Sequence, residues 1–244
     1  MQETSNDQWA VYPGKDLEAM SFAVRYYRWL FEEVRPFIGR RVVEVGAGTG
    51  SFSEMILETE PEILSLVEPS EMFLELVKNV PGDETDTVVR HHRAIFEFVA
   101  DEVKAESLPD TVVYVNVLEH IDDDERELEL IYNTLETGGR LLIFVPAVQA
   151  LFSDFDRSIG HYRRYSKRDL ERKVTDAGFR IVKSKNFDAA GVLPWFVKYR
   201  LLRSMNMDQR SVSIYDGLVV PIVSRLESIL PVPIGKNVVI VAEK

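Results

Sequence analysis

The sequence predicts an α/β domain built on a Rossmann-like, doubly wound and mainly parallel sheet. Two observations predict it. Short apolar runs alternate with amphipathic stretches along the chain, and the first run leads straight into a glycine-rich turn. The runs are short and rich in branched residues, as strands covered on both faces are.

The elements follow in order. After a polar leader, Leu17, Met20, Val24, Tyr27, Phe31 and Val34 recur at spacings of three and four, the stripe of an amphipathic helix. Phe22, Tyr26 and Trp29 form a second apolar face, so this helix is expected to touch two surfaces, and Pro36 and Gly39 end it. Strands are predicted over 40–46, 62–68, 110–117 and 140–146, with a weaker candidate over 87–90. Helices are predicted over 51–59, 70–79, 124–136 and 167–177. Ser166 with Asp169 resembles a capping box for the last of these, and Gly178 suits its end. Two further strands are read over 179–187 and 237–244. The stretch between them far exceeds an ordinary connection of roughly 2–6 residues. Its Leu193, Trp195, Phe196, Val197, Leu201 and Leu202 must bury against something, so it reads as a cap of two or three helices. The organisation expected is an N-terminal helical cap segment (1–38), a ligand-binding core (39–186), a helical cap insertion (187–236) and a final core strand (237–244).

Composition narrows the function. With 29 basic against 40 acidic side chains the formal charge is −11, which disfavours nucleic acid and other polyanions as partners. The absence of cysteine excludes disulfides, thiolate metal sites and a cysteine nucleophile. The polar start lacks the plan of a signal peptide, and no apolar run approaches the roughly 20 residues of a membrane span. A cytoplasmic protein is expected; its oligomeric state is not legible.

The strongest site is Val42-Val43-Glu44-Val45-Gly46-Ala47-Gly48-Thr49-Gly50. Three glycines at alternate positions after a buried strand allow a sharp turn and close approach of backbone to a ligand. Glu68 ends the next strand, where an acid can accept hydrogen bonds from both hydroxyls of a ribose. Loop and acid together imply a nucleoside-containing ligand. A dinucleotide fingerprint would need glycine at position 51, which is Ser51, so a nicotinamide-dependent oxidoreductase is disfavoured.

The G-x-G-x-G turn preceded by Glu44 resembles motif I of class I S-adenosylmethionine-dependent methyltransferases. Further matches are Val67-Glu68-Pro69-Ser70 with Met72, the stretch Asn116-Val117-Leu118-Glu119-His120-Ile121, and Leu135-Glu136-Thr137-Gly138-Gly139-Arg140. Gly160-His161-Tyr162-Arg163-Arg164-Tyr165 and Ala177-Gly178-Phe179 look like those of a bacterial and archaeal small-molecule subgroup. The resemblance covers about residues 39–186. It implies the strand order 3-2-1-4-5-7-6 with the last strand antiparallel, S-adenosylmethionine as cofactor and S-adenosylhomocysteine as product. Carried over, Glu44, Gly46, Gly48 and Gly50 hold the methionine part, Glu68 the ribose and Met72 an adenine face, with Ala47 and Pro69 also at the cofactor. Asn116 and Val117 line the floor. The sequence departs from the pattern where an acid usually fixes adenine, since His91-His92-Arg93-Ala94-Ile95 stands there. Ala94 and Ile95 are expected to contact the ring instead.

The acceptor end carries less signal. His161 and His120 are the candidate bases, histidine titrating near neutrality; His120 also reads as a positioned loop residue. His120 and Glu119 alone do not make a metal site, and His91 and His92 would point to opposite faces of a strand, so no metal is expected. Asp122, Asp123, Asp124 and Glu125 read as a solvated helix start. Tyr162, Arg163 and Arg164 belong to a loop read either as a lid over the acceptor or as a surface loop pairing with nearby acids. Tyr26 and Trp195 complete the expected acceptor site. The favoured function is methyl transfer to a small molecule, with oxygen preferred to nitrogen. Lys198, Arg200 and Arg203 among the cap's apolar residues support a rival, a lipid-linked or phosphorylated acceptor at a membrane surface contacted peripherally. A non-catalytic nucleoside-binding protein is the other alternative.

Overall fold

The computed structural model describes residues 22–80, 82, 87–104 and 107–244. Leu17 and Met20 of the predicted first helix lie outside them. Seven strands form one sheet: β1 (Arg41–Val45), β2 (Ile63–Val67), β3 (Val88–His91), β4 (Thr111–Val115), β5 (Arg140–Pro146), β6 (Arg180–Phe187) and β7 (Asn237–Glu243). Their order is 3-2-1-4-5-7-6, and β7 runs antiparallel to both β5 and β6. Strands β1 to β5 are parallel, with Val45 level with Val67 and Tyr114, so their carboxyl ends open on one edge.

Helices cover both faces. They are α1 (Val24–Val34), α2 (Ser53–Leu57), α3 (Phe73–Asn79), α4 (Ile95–Glu102), α5 (Asp124–Thr134), α6 (Asp154–Ser158) and α7 (Lys167–Asp176). The alternation of side chains along each strand divides the core in two. Val42, Leu142 and Phe144 face α1 and α2, whereas Val43, Leu141, Ile143 and Val145 join Leu128, Ile131, Leu170 and Val174 of α5 and α7. Helices α4 and α6 were not predicted, being little more than two turns or less. Ser153 caps α6, and Asp156 returns the bond to the Ser153 amide. Ser166 caps α7 by accepting from the Asp169 amide, and Gly178 follows at φ +108.

The chain between β6 and β7 forms α8 (Val192–Trp195), which continues as the π-helical turn Phe196–Leu201. Then come α9 (Gln209–Ile214), continuing as Tyr215–Val219, and α10 (Val220–Ile229). Acids tie this cap to the core. Asp216 accepts the amides of Tyr26 (2.8 Å) and Arg25 (3.1 Å), satisfying first-turn donors of α1 that Ala23 cannot cap. Glu227 accepts the amides of Asp188 and Ala189.

Three expectations need correction. The second face of α1 buries Tyr26 and Trp29, the latter stacked on Phe187 at 3.8 Å, but Phe22 is exposed. Of the six apolar cap residues expected to bury, only Trp195 does so in part; Leu193, Phe196, Val197, Leu201 and Leu202 face solvent, and Tyr199 and Val220 are buried instead. The turn has one inward face, and the two aromatics occupy it against Phe155. Asp124 is not solvated: Lys173 and the Tyr165 hydroxyl bind it at 2.8 Å, and Arg163 at 3.0 Å.

Candidate active site

A cavity of about 850 Å³ lies at the carboxyl ends of β1, β2, β4 and β5, where open α/β sheets place ligands. The turn after β1 forms one wall. Gly46, Gly48 and Gly50 all have positive φ (64°, 57° and 88°), and a Cβ on Gly46 would meet the Val117 side chain at 2.5 Å. Gly46, Ala47 and Gly48 line the cavity; Gly50 does not, because it packs where a Cβ would lie 2.4 Å from Val80. Gly50 is therefore a packing and turn residue, which alternate spacing in the sequence could not distinguish from a ligand-facing one.

Two buried acids stand beside the loop. Glu68, at the end of β2, accepts the Gly48 amide at 2.8 Å and the Ser70 amide at 2.9 Å. Glu44 in β1 accepts from the Ser53 hydroxyl at 2.5 Å. Burial pushes Glu44 up to about 8; Ser53 opposes that shift and the charge of Glu68 adds to it. The positive-φ glycines and the two carboxylates fit a nucleoside that carries an amino-acid chain. Pro69, Ala94, Ile95, Asn116 and Val117 line the same cavity, and Asn116 adopts φ 55, a left-handed conformation asparagine tolerates. Met72 lies outside the lining: it is half-buried at the start of α3, where Ser70 accepts its amide. Phe96 also lines the cavity, a residue that sequence reasoning missed.

The other end of the cavity holds the two candidate histidines, edge to face with ring centres 4.5 Å apart. His161 Nδ1 lies 3.2 Å from Asp156 Oδ1, and its Nε2 lies 3.9 Å from Glu119 Oε1. Asp156 is fully buried and also binds Arg164 (2.6 Å) and the Ser153 hydroxyl (2.6 Å). Burial alone would raise Asp156; hydrogen bonds from His161, Ser153 and Arg164, with the Arg164 charge, outweigh it and hold the acid at about 2. His120 is driven down to about 3, by burial first and by the neighbouring His161 second. Glu119, His120 and His161 bring ligand-type atoms within 4.8 Å of one another, a convergence hidden by the forty residues between the histidines. His91 and His92 pack separately on Phe98 and Phe73.

The loop after β5 divides. Tyr162 and Arg164 line the cavity, the latter buried with its guanidinium 4.5 Å from the Trp195 ring centre. Arg163 does not: it turns to Asp124 and to the carbonyls of Ile121 and Asp122. For Arg163 the loop is a brace between segments rather than an acceptor contact. Tyr26, Trp195 and, unforeseen, Phe155, Met207 and Lys236 complete the wall. The Trp195 indole N–H is buried without a hydrogen-bond partner among the described residues, which leaves a donor for a bound molecule.

A family model described as a methyltransferase domain matches residues 22–184. Malonyl-[acyl-carrier protein] O-methyltransferase 1 of Ilyobacter polytropus is 25% identical over 151 residues, covering 58% of this chain; the match spans about half, 53%, of that relative's length. Among solved structures, a SAM-dependent methyltransferase from Archaeoglobus fulgidus superposes with a TM-score of 0.56 at 21% identity, over 90% of this chain and 94% of that one. Phosphoethanolamine N-methyltransferase 2 of Haemonchus contortus gives 0.63 at 18% identity, over 99% of this chain and 60% of that one.

Proposed function

The chain belongs to the methyltransferase-domain family, and on that premise we propose that it is an S-adenosylmethionine-dependent enzyme that methylates a small-molecule acceptor, at oxygen rather than nitrogen, with His161 receiving the proton. S-adenosylmethionine, when bound, supplies an electrophilic methyl group on a sulfonium. Glu44, Gly46, Ala47 and Gly48 would hold its methionine part, Glu68 the ribose, and Ala94, Ile95 and Phe96 the adenine. What the chain must add is alignment, exclusion of water and a place for a proton.

The observation that carries the reading is the Asp156–His161 pair. Asp156 fixes one ring nitrogen of His161, leaving the other to accept a proton. Asp156 binds the buried guanidinium of Arg164, and the buried Glu119 lies 3.9 Å from the other ring nitrogen of His161, so an imidazolium formed there is balanced by the two acids that flank it. The same balance supports proton handling over metal binding for the Glu119, His120 and His161 group. His120, held neutral by burial, is the poorer base and a wall of the pocket. Tyr162, Arg164, Trp195 and Tyr26 would bind the acceptor, the indole N–H donating to it. Oxygen is preferred because the relative covering 58% of this chain is named an O-methyltransferase, whereas the likeness to the N-methyltransferase is one of fold.

The test is release of S-adenosylhomocysteine from S-adenosylmethionine with matched panels of hydroxylic, carboxylic and amine acceptors. Turnover with an oxygen acceptor, lost in His161→Ala, is expected. Turnover confined to amines, or unchanged by the substitution, contradicts the proposal.

A further inference from the structure

The cap turns most of its aliphatic side chains outward and buries acids on its inner face, beside Val220 and the partly buried Val212 and Val223. Helix α10 buries the Glu227 carboxylate and turns Ile222 (62% exposed), Leu226 and Ile229 (79%) to solvent, a stripe at i, i+4 and i+7. In the turn before it, Asp216 is buried and Leu218 is 69% exposed. On the other arm Leu201 (65%) and Leu202 (70%) project outward while Tyr199 is buried. Thirteen of the twenty-one exposed large apolar side chains among the described residues fall between 193 and 234, far more than isolated surface residues would give. The arrangement has a local cause: both buried acids are spent on backbone amides of the core, so the aliphatic faces are left outside.

The charge of the cap is inverted. The chain as a whole is −11, yet residues 189–236 hold six basic side chains against three acidic ones. Two of those acids, Asp216 and Glu227, are the buried ones, and the third, Asp208, is paired with Lys198 at 2.6 Å. Arg200, Arg203, Arg210 and Arg225 remain at the surface among the aliphatic residues. Exposed aliphatic faces with interspersed arginines are what an interfacial helix needs on an anionic bilayer, to which each basic residue contributes by charge and each apolar one by burial. A second copy is a poorer occupant, since a two-fold contact through this patch would set arginines against arginines. No helix among the described residues is long and apolar enough to cross a membrane, so contact would be lateral.

We propose that the cap formed by 192–234 is a membrane-docking surface that seats on anionic phospholipid. Trp195 and Met207 of the same cap line the cavity, so the docked segment is also a wall of the acceptor site. The surface itself does not depend on which atom is methylated.

Flotation of the full chain with phosphatidylcholine vesicles, with and without phosphatidylglycerol, tests this. Co-flotation with the anionic vesicles, weak with neutral ones and lost at high salt, is expected. Ile222→Glu with Ile229→Glu should cut the bound fraction by about tenfold or more while S-adenosylhomocysteine still binds, which shows that the variant folds. A wild-type chain that leaves anionic vesicles unbound overturns the proposal, as does equal binding to both vesicle types. So does a wild-type dimer that the double variant dissolves without any vesicle binding. Loss of S-adenosylhomocysteine binding by the wild type would instead count against the active-site assignment, and the vesicle result would stand.

Discussion

Glu68 accepts the amide of Gly48 at 2.8 Å, so the acid at the end of the second strand holds the glycine loop at the end of the first. The residue proposed for the ribose thus also fixes the turn proposed to hold the methionine part. Glu68→Ala should weaken S-adenosylhomocysteine binding by about 10- to 150-fold, through loss of a charge-assisted hydrogen bond. It should also lower the melting temperature of the ligand-free protein, by roughly 2–4 °C per kcal/mol lost, because two buried amides lose their acceptor. Calorimetry and a thermal melt check both. A variant that binds normally places the ribose elsewhere.

Glu44 makes a second prediction. Its folded value of about 8 lies above the ordinary 4.5, so it holds its proton in the ligand-free protein at pH 7. An ammonium group arriving beside it favours the charged form and should release up to about one proton per ligand bound. Titration calorimetry in buffers of different ionisation heat measures this, and a buffer-independent heat contradicts it. The sign for stability follows. The native state binds more protons than the unfolded one between about pH 4.5 and 8, so stability falls as pH rises through that window, and Glu44→Gln should flatten the fall.

For the histidines the outcomes should separate. His161→Ala should lower turnover about 100-fold or more with donor affinity unchanged, as loss of a positioned base does. His120→Ala should cost less, since burial has already made it a weak base. Asp156→Asn should approach His161→Ala, because the ring loses the group that fixes it. Steady-state kinetics on an accepted oxygen substrate decide this; equal losses at 120 and 161 would mean that both act on the proton.

The cap's attachment gives a fourth prediction. Asp216→Ala leaves the first-turn amides of α1 without their remote acceptor and should cost about 0.5–2 kcal/mol of stability, in the range of lost helix caps. Hydrogen exchange should quicken first at Arg25 and Tyr26. Unchanged protection there would show that the cap is held mainly by other contacts.

Much of this was legible in the sequence because it is local. Strand periodicity gave six strands and a weaker seventh, and the glycine spacing with Glu68 pointed to residues that line one wall of the cavity. What was not legible depends on groups distant in the chain. Asp156 and His161 stand five residues apart, but their importance comes from Glu119 and Arg164 closing around them. Arg163 and Arg164 are adjacent and read alike, yet one braces Asp124 outside the cavity and the other is buried inside it. Gly50 and Gly48 share a motif and differ only because Val80 lies against the first. The outward apolar face of the cap is not legible for a related reason: an apolar run ordinarily seeks the core, and here backbone amides draw the acids inward instead.

The most direct test of the central claim is a thermal melt of the full chain with S-adenosylhomocysteine and, separately, with NAD. At about 100 times its dissociation constant, S-adenosylhomocysteine should add roughly 2.7 kcal/mol and raise the melting temperature by several degrees, with no shift from NAD. A shift with NAD and none with S-adenosylhomocysteine would contradict the assignment.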